Sequence, residues 1–173
     1  MSQALISRKI FHGLLPHPLK YIDTIIYPAA FSENFHSHDS FQLVLCLEGA
    51  VCFSDYKKLS VLLGPGDLLI IPPAVKHEYR VPAHQTARTL QMLHAPFLIE
   101  DYGELSLLFG SNTEMTVVSL KESEYGPIVQ NIEREIMSKK SAAGIMIQSA
   151  IYELLAYAVR AGHQKNPGVE KKK

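Results

Sequence analysis

A chain of 173 residues, 47% apolar and 20% charged, is long enough for one packed domain with an appendage and is composed like a globular protein rather than a disordered one. Its 17 lysines and arginines are balanced by 17 aspartates and glutamates, which argues against a nucleic-acid binder acting alone and leaves little colloidal repulsion against self-association. No apolar run approaches the roughly 18 residues of a membrane span, and the opening MSQALISRKIFHGLL lacks a clean signal-peptide core and a small-residue cleavage site, so the expected location is the cytoplasm.

Residues 1–20 are interrupted by Gly13, Pro16 and Pro18 and read as an arm or leading strand. Over 21–120 short apolar runs recur: Tyr21–Tyr27, Phe41–Leu47, Ala50–Phe53, Ser60–Leu63, Asp67–Ile71, His77–Val81, Thr89–His94 and Met115–Leu120. Glu48-Gly49, Gly64-Pro65-Gly66 and Pro72-Pro73 punctuate them, a spacing that predicts a β-sandwich or barrel. Gly64-Pro65-Gly66 has neither the lysine nor the helix of a phosphate loop and reads as a turn. Asp101–Phe109 reads as a short helix on the flank. With Glu48-Gly49 as a hairpin turn, Cys46 faces Val51 and Leu45 faces Cys52; the two sulfurs then point to opposite faces, and both thiols are expected to be reduced.

The pattern changes at Lys121. Ile128, Ile132 and Ile136 recur every four residues across Glu122–Lys139, a helical stripe, with Pro127 placed in the first turn. A second helix is expected from Ser141, a natural N-cap, to Arg160, with Gly162 as its stop. Its apolar residues cover more than one stripe, so one face packs on the first helix and the other needs a further partner. A second copy of the chain is the expected partner, through Ile145, Ile151, Leu155 and Val159. The helical pair thus spans 121–162, and the polar stretch 163–173, ending in Glu170-Lys171-Lys172-Lys173, reads as a linker or tail.

The chemistry is concentrated in Phe35-His36-Ser37-His38-Asp39-Ser40-Phe41-Gln42. In a strand, side chains alternate with period two, so His36, His38 and Gln42 share a face. Two imidazoles and an amide oxygen fill three positions around a divalent metal, and His77, after the Pro72-Pro73 corner, is the candidate fourth ligand. Tyr79 and Val81 share its face. The same residues serve equally as the metal-free lining of a pocket for an organic ligand. Gln42 binds a cation more weakly than a carboxylate and offers no general base. His12, His17, His84, His94 and His163 show no mutual spacing and are expected at the surface or in caps.

His36, His38, Gln42 and Gly49, followed by Gly66-Asp67-Leu68-Leu69-Ile70-Ile71-Pro72-Pro73-Ala74-Val75-Lys76-His77, resemble the two motifs of the cupins, although the glycine that leads the first motif is missing. The run from His38 to Gly49, the Gly64-Pro65-Gly66-Asp67-Leu68 turn and the Pro72-Pro73-x-x-x-His77 corner look like the sensor domain of bacterial AraC/XylS-type transcription regulators. The resemblance implies a mainly β fold: a cupin double-stranded β-helix (jelly-roll barrel) with a C-terminal antiparallel α-helical hairpin. It implies an effector-binding, dimerising module rather than an enzyme, which reaches DNA only through helix-turn-helix units. None is found after Gly162, so the chain looks like the sensor part of a regulator or a relative without a DNA-binding domain. The expected effector is a small polar or anionic molecule, a sugar or carboxylate, held by His36, His38, Gln42, His77 and Tyr79. The alternative is a metal-dependent cupin enzyme, a dioxygenase, isomerase or sugar-modifying lyase, with zinc, nickel, manganese or iron at His36, His38, Gln42 and His77.

Overall fold

Residues 7–57, 60–95, 114–138 and 140–165 are described by a computed structural model, with side chains described as far as Gly162. These residues form strands β1 (Ser7–Ile10), β2 (Leu19–Tyr27), β3 (Ser32–His36), β4 (Phe41–Gly49), β5 (Val51–Asp55), β6 (Ser60–Leu63), β7 (Asp67–Ile71), β8 (His77–Arg80), β9 (Ala87–His94) and β10 (Thr116–Ser119), then helices α1 (Glu122–Ser138) and α2 (Ala143–Lys165). Asp101–Phe109 lies outside the described residues.

All the strand pairs are antiparallel. They make a six-stranded sheet in the order β1-β2-β9-β4-β7-β10 and a four-stranded sheet in the order β3-β8-β5-β6. The two sheets face each other as the jelly-roll barrel, and the helices cover the outer face of the larger sheet. That sheet is therefore buried on both sides, which is why β4 reads as an unbroken apolar run. Its Phe41, Leu43, Leu45 and Leu47 join the helix-side core, while Val44 and Cys46 join the barrel interior. β7 divides the same way, Leu68 and Ile70 from Leu69 and Ile71. In the smaller sheet only one face is dry: Val51, Phe53 and Asp55 of β5 are buried, Cys52 and Ser54 half-exposed.

One expected connection is corrected. Glu48-Gly49 is not a hairpin turn. β4 pairs with β7 and β9, β5 with β6 and β8, and the chain crosses between sheets at Ala50. Gly49 makes the crossing in the left-handed region (φ +69°), where a Cβ would run into the Thr86 carbonyl. Cys46 lies opposite Thr89 in one sheet and Cys52 opposite Leu62 in the other; both are free thiols. Of the two readings of residues 1–20, the leading strand is what Ser7–Ile10 forms, paired with Asp23–Ile26 as the edge of the larger sheet.

Pro127 is the sixth residue of α1 rather than part of its first turn, where it removes one internal hydrogen bond. The start of the helix is closed instead by Glu124, whose carboxylate accepts from the Lys121 N–H at 3.0 Å. Ser141 does not cap α2. Ala142 (φ +64°) takes that place, its carbonyl accepting from the Ile145 and Met146 N–H groups at 3.0 and 3.1 Å. The helix continues past Gly162 to Lys165. Its second face does find a partner, within the same chain: Ile147, Ile151, Leu154, Leu155, Ala158 and Val159 share one core with the larger sheet and α1. Of the four residues expected at a dimer contact, Ile151, Leu155 and Val159 are buried here, and Ile145 alone is exposed (63%). Among the described residues no helix is long and apolar enough to cross a membrane.

Candidate functional site

The mouth of the barrel gathers the four sequence-predicted donors from both sheets. His36 closes β3 and lies opposite His77, the first residue of β8. His38 sits in the connection to β4, held against the Pro72-Pro73 corner by the Ala74 N–H, which donates to its carbonyl at 2.8 Å. Gln42 lies on β4, in the other sheet, opposite Ile71 and Leu93. The convergence was legible but its reason was not: the three residues of the first motif turn a corner between sheets rather than alternating along one strand.

The ring centroids of His36 lie 5.1 Å from His38 and 4.4 Å from His77, and those of His38 and His77 are 5.6 Å apart. One ring nitrogen from each lies within 4.8 Å of the others, a cluster able to hold a metal ion. Backbone carbonyls fix two of the tautomers. His36 Nδ1 is 2.8 Å from the Asn34 oxygen and His77 Nδ1 is 3.0 Å from the Val75 oxygen, so each Nδ1–H donates and each Nε2 keeps its lone pair. Burial lowers the His77 pKa to about 4, despite the Val75 bond. The His38 pKa is lowered first by burial and then by His36, with nearby Asp39 and Gln42 partly offsetting this. Both rings are therefore neutral, as metal ligands must be. Among the described residues, His77 Nε2 and Gln42 Oε1 are buried and make no hydrogen bond of proper geometry. Two buried lone pairs without a donor are costly unless something satisfies them, and a divalent cation suits an imidazole and amide donor set.

Behind the donors lies a cavity of about 330 Å³. Tyr79 lines it as expected, stacked on Phe53 with centroids 5.0 Å apart, while Val81 is buried in the barrel interior. Arg8, Tyr21, Glu33 and Gln91, which sequence reasoning missed, also line it. Tyr21 Oη donates to Asp23 Oδ2 at 2.5 Å and Arg8 Nε stands 3.8 Å from the same oxygen. Burial raises the Asp23 pKa to about 6, with Tyr21 and Arg8 pulling it back down. The missed signal is alternation. Tyr21, Asp23 and Tyr27 share one parity in β2, as do Thr89 and Gln91 in β9, which places polar side chains toward the interior.

His94 contradicts its expected surface position. It is 1% exposed on β9, both ring nitrogens lack partners among the described residues, and burial lowers its pKa to about 4. His12, His17 and His84 are exposed, and the His163 side chain lies outside the described residues.

Residues 26–155 match the AraC-like ligand binding domain. No curated protein sequence matches the chain. Among solved structures, it is similar to a cupin superfamily protein from Desulfitobacterium hafniense, with 15% identity and a TM-score of 0.47 over 55% of this chain and 82% of that one. It is also similar to the DMSP lyase DddQ from Ruegeria pomeroyi, with 20% identity and a TM-score of 0.47 over 53% of this chain and 47% of that one. A third is the bacterial pirin YhhW in complex with nickel(II) from Escherichia coli, with 16% identity and a TM-score of 0.48 over 56% of this chain and 47% of that one.

Proposed function

The chain belongs to the AraC-like ligand binding domain family, and we propose that it senses a small polar or anionic molecule inside its barrel and transmits that event through its helical pair. The observation that carries this reading is the cavity of about 330 Å³, where His36, His38, Gln42 and Tyr79 meet the cationic Arg8. That volume suits a small sugar or carboxylate. A sensor is favoured over an enzyme because Gln42 supplies no base, and His77, neutral down to about pH 4, is a poor proton carrier near neutrality.

His36, His38, His77 and Gln42 are the residues that would hold a divalent cation such as zinc, nickel, manganese or iron. When bound, the cation supplies a Lewis-acid contact to a ligand oxygen. The protein's own part is to fix the imidazole tautomers through Asn34 and Val75 and to hold Arg8 beside the cavity through Asp23.

β4 links the site to the helices, since Gln42 lines the cavity and Leu43 shares a core with Ile151 and Leu154. A ligand that prefers one position of β4 biases how the helices lie, and through them helix-turn-helix units that reach DNA. Homodimerisation would use the exposed start of α2, where Ile145 and Met146 stand 63% and 46% accessible. The reduced Cys46 and Cys52 suit a cytoplasmic setting.

The test is a thermal-shift and calorimetric screen of small carboxylates and sugars against the full chain. A saturable rise in Tm, lost in Arg8→Ala and His77→Ala, is expected. Consumption of the ligand during titration, or stabilisation that survives both substitutions, overturns the reading.

A further inference from the structure

We propose that Gln91 sets the direction of a buried hydrogen-bond chain from Gln42 to Tyr79, which couples a cation at one end to a hydrogen-bond donor for a ligand oxygen at the other. The proposal rests on the metal reading of the three histidines and Gln42 given above.

The chain has four members. Gln42 Nε2 donates to Gln91 Oε1 at 3.2 Å, and Gln91 Nε2 donates to Tyr27 Oη at 2.6 Å, with Thr89 Oγ1 at 3.4 Å. Tyr27 Oη lies 3.2 Å from Tyr79 Oη. All four side chains are buried, so the protons and lone pairs they turn toward one another must match, while the two ends, at Gln42 and Tyr79, face the cavity. An amide has one donating and one accepting end, and turning one member obliges the next to turn.

Only two directions satisfy the chain. In the observed one, Gln91 presents its oxygen to Gln42, so the Gln42 NH₂ faces Gln91 and Oε1 is turned to His38, with no donor of proper geometry among the described residues. Tyr27 accepts from Gln91, and its own proton goes to Tyr79, its other hydroxyl partner among the described residues. The Tyr79 proton is then left for the cavity that Tyr79 lines. Reversed, Tyr79 gives its proton to Tyr27, Tyr27 gives its own to Gln91, and Gln42 turns its NH₂ outward. That NH₂ cannot ligate a cation, and the ligand then meets a Tyr79 lone pair.

A cation held by the histidines and Gln42 Oε1 therefore selects the direction in which Tyr79 is a donor. Arg8, lining the same cavity, makes the same demand of a ligand. The favoured ligand group is an anionic oxygen, a carboxylate, and by linkage its binding tightens the cation.

The test is titration of cobalt(II) into metal-stripped, untagged full-length chain, read by visible absorption and chelator competition. Gln91→Leu removes the acceptor for Gln42 and should weaken cobalt by roughly 10- to 100-fold, the usual effect of losing a residue that orients a ligand. Gln91→Glu can only accept, one oxygen from Gln42 and the other from the Tyr27 hydroxyl, so it still fixes Gln42 and should bind cobalt at least as tightly as the unmodified chain. Tyr27→Phe, which leaves the cavity wall intact, should weaken both cobalt and, in cobalt-loaded protein, acetate as the simplest carboxylate probe. Far-UV circular dichroism checks that each variant is folded. If the unmodified chain binds no cobalt, the metal reading fails and takes the coupling with it. If it binds cobalt but Gln91→Leu stays within about twofold, or Gln91→Glu loses as much as Gln91→Leu, the coupling alone is overturned.

Discussion

The two faces of the six-stranded sheet are built from the same strands and serve different ends. On the helix side, Phe41, Leu43, Leu45, Leu68, Ile70 and Leu90 meet Ile147, Ile151 and Leu154 in a core that is almost wholly apolar. On the barrel side the opposite parity carries Gln42, Asp23, Tyr27 and Gln91, each hydrogen-bonded to another side chain. Burying polar groups is unfavourable unless they are paired, so a face that collects them and pairs them is organised for recognition. The other face is organised for cohesion, with Thr24 and His94, unpartnered among the described residues, as its flaws.

Breaking one face should leave the other's property intact. The largest effect is expected on the helix side. Leu154→Ala removes a fully buried side chain from the core shared by α2 and the sheet, and should cost about 2–5 kcal/mol in denaturant unfolding. His77→Ala, on the barrel side, should abolish metal retention while the protein remains folded. If Leu154→Ala leaves stability unchanged, the helices are not part of one core with the barrel.

The next effect is a pH dependence from His94, whose native pKa is lowered to about 4 from an ordinary value near 6.5. The unfolded chain takes up this proton as pH falls through about 6.5, and the native state resists it until about pH 4. The stability tied to His94 is therefore fully present above about pH 6.5, declines as pH falls from there to about 4, and then levels off. The window is worth on the order of a few kcal/mol. Lowered His77 acts in the same direction, so His94→Leu should flatten part of the slope in urea unfolding across this range. An unchanged slope would contradict the assignment.

Much of this division was legible. Short apolar runs with Gly and Pro punctuation gave the barrel, and the isoleucines of α1 gave its buried stripe. The three histidines do lie together, although the grouping assumed one strand for His36, His38 and Gln42 where the chain turns a corner between two sheets. What escaped has a common physical cause. Ser32–His36 is mostly exposed and carries no apolar alternation, so nothing local marks it as a strand. Sequence pattern also shows that α2 needs two partners without saying that the second is the outside of its own barrel, which is why Ile151, Leu155 and Val159 read as a dimer surface. Arg8 and Gln91 come from chain-distant strands, and only the sheet order brings them to the cavity.

Smaller effects sharpen the comparison at its edges. Arg88 spans the boundary, donating to Glu48 on β4 at 2.7 Å and to Glu133 on α1 at 2.5 Å. Arg88→Ala should cost roughly 1 kcal/mol, less in high salt, because the pair is half-exposed. Ile145→Arg, on the exposed start of α2, should change monomer stability by no more than about 0.5 kcal/mol. It should nonetheless shift sedimentation toward monomer if that turn joins two copies. Unchanged dimers would remove Ile145 from the interface.

The central claim is that the barrel interior is the functional face and that His36, His38, Gln42 and His77 hold a cation there. Elemental analysis of untagged protein, purified without metal-affinity resin and dialysed against divalent cations, tests it most directly. The account predicts one metal ion per chain, lost in His77→Ala with the barrel still folded. A folded, unmodified chain with no bound metal under these conditions would contradict it and leave the four residues as pocket lining alone.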